Sequence, residues 1–197
     1  MIEMRISKPE EVSELQELFR LCFGDGPECS GLHFDCHYRP EKYLVLREDD
    51  VLAAAAGLRN VTLTEPDGRT VKAAYLYGVS THPDRRGRGF AAQLMNYTDF
   101  CLHGKRDCVI SAPVHEDLRA FFAKFGFAGW FCFSEGEPTP RAPFAGESAR
   151  PVFLRRLASW PAEGAERMNC GTIKWYDPIA ERRWAGTEGA WLGPAPD

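Results

Sequence analysis

The feature that most constrains this chain is the break at His82-Pro83-Asp84-Arg85-Arg86-Gly87-Arg88-Gly89. Before it, Thr70 to Thr81 has the pattern of one long strand. Pro83 lacks the N–H that a ladder requires, and the residues after it cannot continue an extended segment. From Phe90 the period becomes helical: Phe90, Leu94, Tyr97 and Cys101 form one stripe, Ala91, Met95, Thr98 and Leu102 lie beside it, and Gly104 supplies a stop. A helix start carries amides with no partner inside the helix, and aligned peptide dipoles leave about half a positive charge there. Glycine at 87 and 89 removes the Cβ atoms that would hold a bulky anion away, while Arg85, Arg86 and Arg88 add charge and directional donors. The junction is a candidate cradle for a pyrophosphate.

Three other readings of these residues compete with that one. A solvated surface turn would explain an isolated Gly/Arg cluster, but this cluster sits between a strand pattern and a helix pattern, where a phosphate cradle belongs. Gly87-x-Gly89-x-x-Ala92 imitates a dinucleotide fingerprint, yet that fold wants the glycines after the first strand of a parallel unit and an acid closing the next strand. Here Asp107 opens its strand. A Walker-type loop is excluded because no Gly-Lys-Ser/Thr follows the glycines.

The surrounding pattern predicts an α/β chain. Met4–Ile6 reads as a short strand, and Ser7-Lys8-Pro9-Glu10 as a capping box that opens a helix. Val12, Leu15, Leu18, Phe19 and Cys22 give that helix one apolar stripe, ended by Gly24-Asp25-Gly26-Pro27. Residues 30–37 can form a second short helix, and 43–46 and 51–64 read as strands flanking the acidic turn Glu48-Asp49-Asp50. With 70–81 they form an antiparallel meander. Downstream, 109–112 is a buried strand, Leu118, Phe121, Phe122 and Phe125 mark a helix closed by Gly126, and 130–133 and 151–157 are strands separated by a Pro/Gly-rich loop. The last forty residues have weak periodicity, and their four tryptophans (Trp160, Trp175, Trp184, Trp191) imply packing against the body. The expected organisation is a domain over 1–157 with a carboxy-terminal extension over 158–197.

Composition narrows the function classes. With 197 residues, 44% hydrophobic, the chain can fill one core, and a net charge of −4 argues against a surface built to bind nucleic acid. No run reaches the roughly 18 apolar residues of a membrane span, and the acidic, interrupted start is unlike a signal peptide, so a cytoplasmic location is expected. Seven scattered cysteines with no C-x-x-C pair are read as reduced thiols. In His33-Phe34-Asp35-Cys36-His37-Tyr38, two imidazoles four apart do not close a zinc site, so no metal is expected.

These residues resemble the GNAT (Gcn5-related) N-acetyltransferases. Arg86-Gly87-Arg88-Gly89-Phe90-Ala91 fits that family's motif A, Arg/Gln-x-x-Gly-x-Gly/Ala, and Tyr77 to Pro83 is similar to its fourth strand. Leu118 to Phe127 is similar to the motif B helix with its terminal Gly126-Phe127, and the element order from Met4 to Phe133 agrees. Leu18 to Asp25 resembles a bacterial branch related to the Eis aminoglycoside acetyltransferases. The resemblance implies a mixed, mostly antiparallel sheet whose fourth and fifth strands splay apart. It implies acetyl-CoA as cosubstrate, its pantetheine arm paired with the backbone of Val79, Ser80 and Thr81, and Gly78 easing that approach. The pyrophosphate would lie on the segment Arg86, Gly87, Arg88, Gly89, Phe90, Ala91 and Ala92.

The acceptor implied is an amine of a small molecule or peptide, and a homodimer is left open by the residues. Phe34 and His37 would line the acceptor entrance. A departure stands at the position where many members have a proton-donating tyrosine, which here is Phe122. Candidate groups for proton transfer are His115 (where an Asn often precedes the motif B helix), Tyr77 on the cofactor strand and the terminal Asp197. The alternative function is a non-catalytic acyl-CoA sensor.

Overall fold

The computed structural model describes residues 1–24, 33–35, 38–64, 70–113, 115–134, 150–157, 171–175 and 188–194. Two units are present, Met1–Leu58 with Leu76–Cys101 and Arg59–Tyr75 with Leu102–Asp197. Two strands, β3 (Val51–Thr64) and β4 (Thr70–Thr81), contribute residues to both.

In the first unit, β1 (Ile2–Ile6) pairs antiparallel with β2 (Tyr43–Glu48), and β2 pairs antiparallel with β3. The β2–β3 turn is made by Asp49 (φ 48°) and Asp50 (φ 62°), both left-handed, the twist that a tight hairpin demands and that Asp tolerates. Tyr43 to Leu46 and Ala53 to Ala56 are buried without interruption. Such runs mean that both faces of these strands are covered, so the 2-residue alternation of a half-exposed sheet is missing. Helix α1 (Val12–Phe23) covers one face with Leu15, Leu18 and Phe19 against Tyr43, Val45, Leu52 and Ala55. It ends at Gly24, whose φ of 70° lets its N–H reach the Arg20 carbonyl at 3.1 Å. Helix α2 (Phe90–Leu102) buries Phe90, Leu94, Met95 and Thr98, two from each of the adjacent stripes read from the sequence, while Tyr97 and Cys101 are half-buried. Of the short helix expected over 30–37, residues 33–35 are helical and the others lie outside the described residues.

The start of α1 differs from expectation. Ser7 is not the cap: its hydroxyl bonds the Tyr38 hydroxyl at 3.2 Å and the Pro40 carbonyl at 3.0 Å. A 3-10 turn, Pro9–Glu11, precedes the helix, and the Glu11 carboxylate accepts the Lys8 N–H at 2.7 Å. The reason is charge. Glu11 also takes both terminal nitrogens of Arg5 and one of Arg47, each at 2.8 Å, and ionised hydrogen bonds of this kind outweigh a neutral hydroxyl cap.

In the second unit, β5 (Cys108–Ser111) lies parallel to β4 over Ala73–Tyr75. Asp107 closes that junction by accepting the Lys72 N–H at 2.8 Å and donating its own N–H to the Lys72 carbonyl at 2.7 Å. Antiparallel pairings then run from β5 to β7 (Arg150–Arg156), β7 to β6 (Ala128–Ser134), β6 to β9 (Glu188–Pro194) and β9 to β8 (Gly171–Trp175), and β8 also pairs with β3 at Thr62–Thr64. Helix α3 (Glu116–Ala123) buries Phe122, whose ring meets that of Phe127 edge-on at 5.0 Å. The fold is thus α/β: a mixed, mostly antiparallel sheet with the parallel pair β4–β5, flanked by helices. Strands β8 and β9 come from the tail whose sequence gave no clear period. Among the described residues no helix is long and apolar enough to cross a membrane.

Glu11 makes this packing pH-dependent. The Arg5 guanidinium, with the Lys8 amide and Arg47, holds its carboxyl at about 2, below the ordinary 4.5. A depressed carboxyl contributes stability that is complete above pH 4.5 and is lost as pH falls from there toward 2, here about 3 kcal/mol. Urea unfolding should find Glu11→Gln less stable than wild type by roughly that amount at pH 7 and by little near pH 2. An equal deficit at both pH values would contradict the assignment.

Candidate functional site

The strand-to-helix junction is built within the first unit. The His82 N–H donates to the Ala53 carbonyl at 2.9 Å, which closes the end of β4. A 3-10 turn, Pro83–Arg85, follows, with His82 Nδ1 accepting the Asp84 N–H at 3.3 Å. Gly87 and Gly89 then take φ of 76° and 78°, the left-handed region where a side chain is strained. No atom lies within 4 Å of the place a Cβ would occupy on either glycine. The helix ladder begins with the Gln93 N–H on the Gly89 carbonyl at 3.0 Å. Among the described residues, the amides from Gly87 to Ala92 have no acceptor. Consecutive amides in alternating left- and right-handed backbone at a helix start form an anion nest, and the open space over both glycines fits a phosphate or diphosphate there.

The three arginines divide their work. Arg88 donates from both terminal nitrogens to the Glu48 carboxylate, one bond at 2.6 Å, and its guanidinium lies 5.0 Å from the Phe90 ring centre. Arg85 donates to the same carboxylate. Arg88, read from the sequence as a phosphate ligand, is therefore also the group that ties the loop to the end of β2. Arg86 is exposed, and its Nε donates to the Thr81 carbonyl at 3.4 Å. Phe90 is 2% exposed, so only its backbone can face an anion.

On β4, Ser80 is buried with its hydroxyl on the Ala55 carbonyl at 3.3 Å, so its side chain is committed to the core. The Thr81 carbonyl already accepts the Cys22 thiol at 3.3 Å in addition to Arg86. The role expected for Gly78 is corrected. Its φ is 58°, and a Cβ there would meet Phe19 of α1 at 2.5 Å, so this glycine makes room for a core ring rather than for a ligand.

Phe34 is corrected too. At 2% exposure it packs between Phe19 (5.1 Å) and Tyr43 (5.5 Å), inside the core rather than on an entrance wall. His37 and Asp197 lie outside the described residues. His115, in the second unit, stands at the N-cap of α3 with no side-chain cap bond, and its side chain is exposed. Tyr77, by contrast, donates its hydroxyl to that of Tyr43 at 2.9 Å, and Tyr43 is 3.0 Å from His33 Nε2. Sequence reasoning missed the roles of His33 and Tyr43. The available signal was a tyrosine at the head of an apolar strand, since a buried phenol needs a partner. Cys22, Cys101 and Cys108 are free thiols, and burial pushes the Cys108 thiol well above its usual value. Among the described residues no cluster of three metal-ligating side chains occurs.

Residues 3–128 match the acetyltransferase (GNAT) domain, more than half of the chain, and the chain belongs to that family. Its fold is that of solved GNAT proteins. A GCN5-related N-acetyltransferase from Anabaena variabilis matches with a TM-score of 0.60 and 16% identity over 67% of this chain and 33% of its own. A GNAT family acetyltransferase from Brucella melitensis, solved in complex with acetyl-CoA, matches at 0.51 and 15% over 65% and 83%. The ribosomal-protein-S18-alanine N-acetyltransferase of Escherichia coli matches at 0.54 and 13% over 84% and 98%. The chain thus spans a third of the Anabaena protein and nearly all of the Escherichia coli one. No curated protein matches the chain in sequence. Family membership and these likenesses establish the fold and leave the activity and the acceptor open.

The Gly78 assignment is testable. Gly78→Ala should cost about 2–4 kcal/mol, combining left-handed strain with the collision against Phe19. Phe19→Ala in the same chain removes the collision, so urea unfolding of the double variant should show less than the sum of the single losses. Additive losses would dissociate the two residues.

Proposed function

We propose that this chain is an acetyl-CoA-dependent N-acetyltransferase that moves an acetyl group to a primary amine of a small molecule or peptide. The observation that carries the reading is the row of amides from Gly87 to Ala92, unpartnered among the described residues and opening a 13-residue helix beneath open space. In this role those amides hold the diphosphate of coenzyme A, and exposed Arg86 adds a positive charge beside them. The backbone of Val79, Ser80 and Thr81 orients the pantetheine arm. The acetyl-CoA complex of the Brucella relative supports this choice of cosubstrate.

Bound acetyl-CoA supplies an acyl carbon activated by its thioester. The chain's own part is positional and electrostatic. A β4 amide beside the thioester carbonyl stabilises the negative charge that develops on its oxygen. An acceptor ammonium must lose a proton before its nitrogen can attack, and the departing thiolate gains one. Tyr77, two residues before Val79, is the hydroxyl we assign to the first task. The amino-terminal helix sequence supports an Eis-like bacterial affiliation, with residues 1–157 as the transferase domain, 158–197 as its extension, and the cytoplasm as its location. A second reading, a non-catalytic acyl-CoA sensor, is favoured by one observation: Phe122, aligned with the family's proton-donating tyrosine, is buried among Phe121 and Phe127.

Calorimetric titration with CoA, acetyl-CoA, NAD and ATP tests the site. CoA and acetyl-CoA should bind at least tenfold more tightly than the other two. Gly89→Val, checked for native circular dichroism, should lower CoA affinity at least tenfold, about 1.4 kcal/mol, because it crowds the amides. A folded Gly89→Val protein with unchanged affinity would falsify the cradle. Thiol release from acetyl-CoA with a panel of amines then separates transferase from sensor: no rate above hydrolysis for any amine supports the sensor.

A further inference from the structure

Three side chains in the first unit form a hydrogen-bonded line that the family resemblance does not supply. Tyr77 Oη donates to Tyr43 Oη at 2.9 Å, and Tyr43 Oη lies 3.0 Å from His33 Nε2. Tyr43 is fully buried, whereas Tyr77 and His33 at the two ends are half-buried. The line is held by ring contacts. His33 stacks on Phe19 with ring centres 6.0 Å apart and planes 21° from parallel, and meets the Tyr77 ring edge-on at 5.8 Å. Gly57 has no Cβ because the Tyr77 ring occupies that position, so this ring is seated against the backbone of β3. A phenol has one proton. With Tyr77 donating to Tyr43, the Tyr43 proton is the one available to His33, and Nε2 then accepts it as a neutral imidazole carrying its own proton on Nδ1.

We propose that Tyr77, Tyr43 and His33 form a proton relay that deprotonates the acceptor amine, an inference that rests on the transfer function proposed above. The step balances. The acceptor ammonium gives one proton to Tyr77 Oη as the Tyr77 proton passes to Tyr43 Oη and the Tyr43 proton passes to His33 Nε2. One N–H bond breaks at the substrate, one forms at the imidazole, and both phenols end neutral with the direction of their hydrogen bonds reversed. The nitrogen lone pair freed in this way is the nucleophile. His33, half-buried, returns the proton to water between turnovers. A phenol alone is a poor base near neutrality because its own ionisation lies near 10, while imidazole titrates near 6.5. The relay lets the better base act from two residues away, so Tyr77 is the group that touches substrate and Tyr43 and His33 are positioning residues behind it.

The test joins a spectroscopic readout to kinetics. Imidazole nitrogen NMR of the free protein should show His33 with its proton on Nδ1 and Nε2 unprotonated. A proton on Nε2 overturns the relay. With an amine that supports thiol release, Tyr43→Phe should lower kcat at least tenfold with KM for acetyl-CoA and CoA affinity unchanged. The proton inventory, the rate as a function of deuterium content, should pass from bowed in wild type to linear in the variant, since a single proton then moves. Should Tyr43→Phe fail to fold, His33→Gln decides, because it keeps an acceptor facing Tyr43 yet cannot take up a proton. Wild-type kcat in either variant overturns the relay and leaves the transfer reading standing. Wild-type protein that binds acetyl-CoA and acylates no amine defeats the transfer reading, and the relay falls with it.

Discussion

A helix cannot bond the amides of its own first turn, and the way α2 leaves that problem unsolved underlies the functional reading of this chain. Most helices place Ser, Thr, Asp or Asn just before the first turn, where a side-chain oxygen accepts those amides. Here the residue before Phe90 is Gly89, which has no side chain, and Gly87 stands two before it. Both are left-handed, so the backbone turns its N–H groups outward in sequence instead of into a cap. The conformation must be imposed from outside the helix. Glu48, 9% exposed at the end of β2, does this by accepting from Arg85 and Arg88 together, which offsets the cost of burying its charge. One carboxylate therefore fixes both ends of a four-residue stretch, Arg85–Arg88, without engaging the amides of Gly87 and Arg88.

The aromatic cluster beside α1 obeys the same accounting of polar atoms. A phenol buried without a partner costs stability, and each buried or half-buried tyrosine of this cluster has one. Tyr38 donates to the Lys8 carbonyl at 2.5 Å, and Tyr43 and Tyr77 satisfy each other. The chain of partners extends to His33, whose ring is stacked on Phe19. Packing thus selects the orientation of these side chains, and the hydrogen-bonded line is a consequence of satisfying buried hydroxyls.

How much of this was legible from residues alone depended on whether the cause was local. Pro83 ending a strand, glycine alternating with arginine, and apolar residues three and four apart after Phe90 are all local, and the junction stands where those signals put it. The start of α1 was misread because the deciding contacts come from Arg5 and Arg47, the latter 36 residues from Glu11. Gly57 and Gly78 were opaque for a similar reason. Glycine in a strand announces close approach, but the sequence does not say whether the approaching group is a ligand or, as here, the rings of Tyr77 and Phe19. The family resemblance puts Phe34 at the acceptor entrance, whereas its ring belongs to the core. Strands β8 and β9 carry too little alternation to be read, since glycine and alanine dilute their apolar residues.

Phe122 connects the fold to the chemistry. A ring 4% exposed, edge-on to Phe127 and to Phe121, is a packing residue, and nothing at that position can donate or accept a proton. Amine acylation still requires that a proton leave the nucleophile. Within the unit that carries the amide row, β4 presents a phenol at Tyr77, already hydrogen-bonded through Tyr43 to an imidazole. Under the proposed function the proton-transfer group would sit on this strand instead of on the motif B helix, where the rings of His33 and Tyr43 pack against it. Satisfying the buried phenols requires such a line whether or not a proton moves along it, so it is the kinetics of amine acylation that separate transferase from sensor.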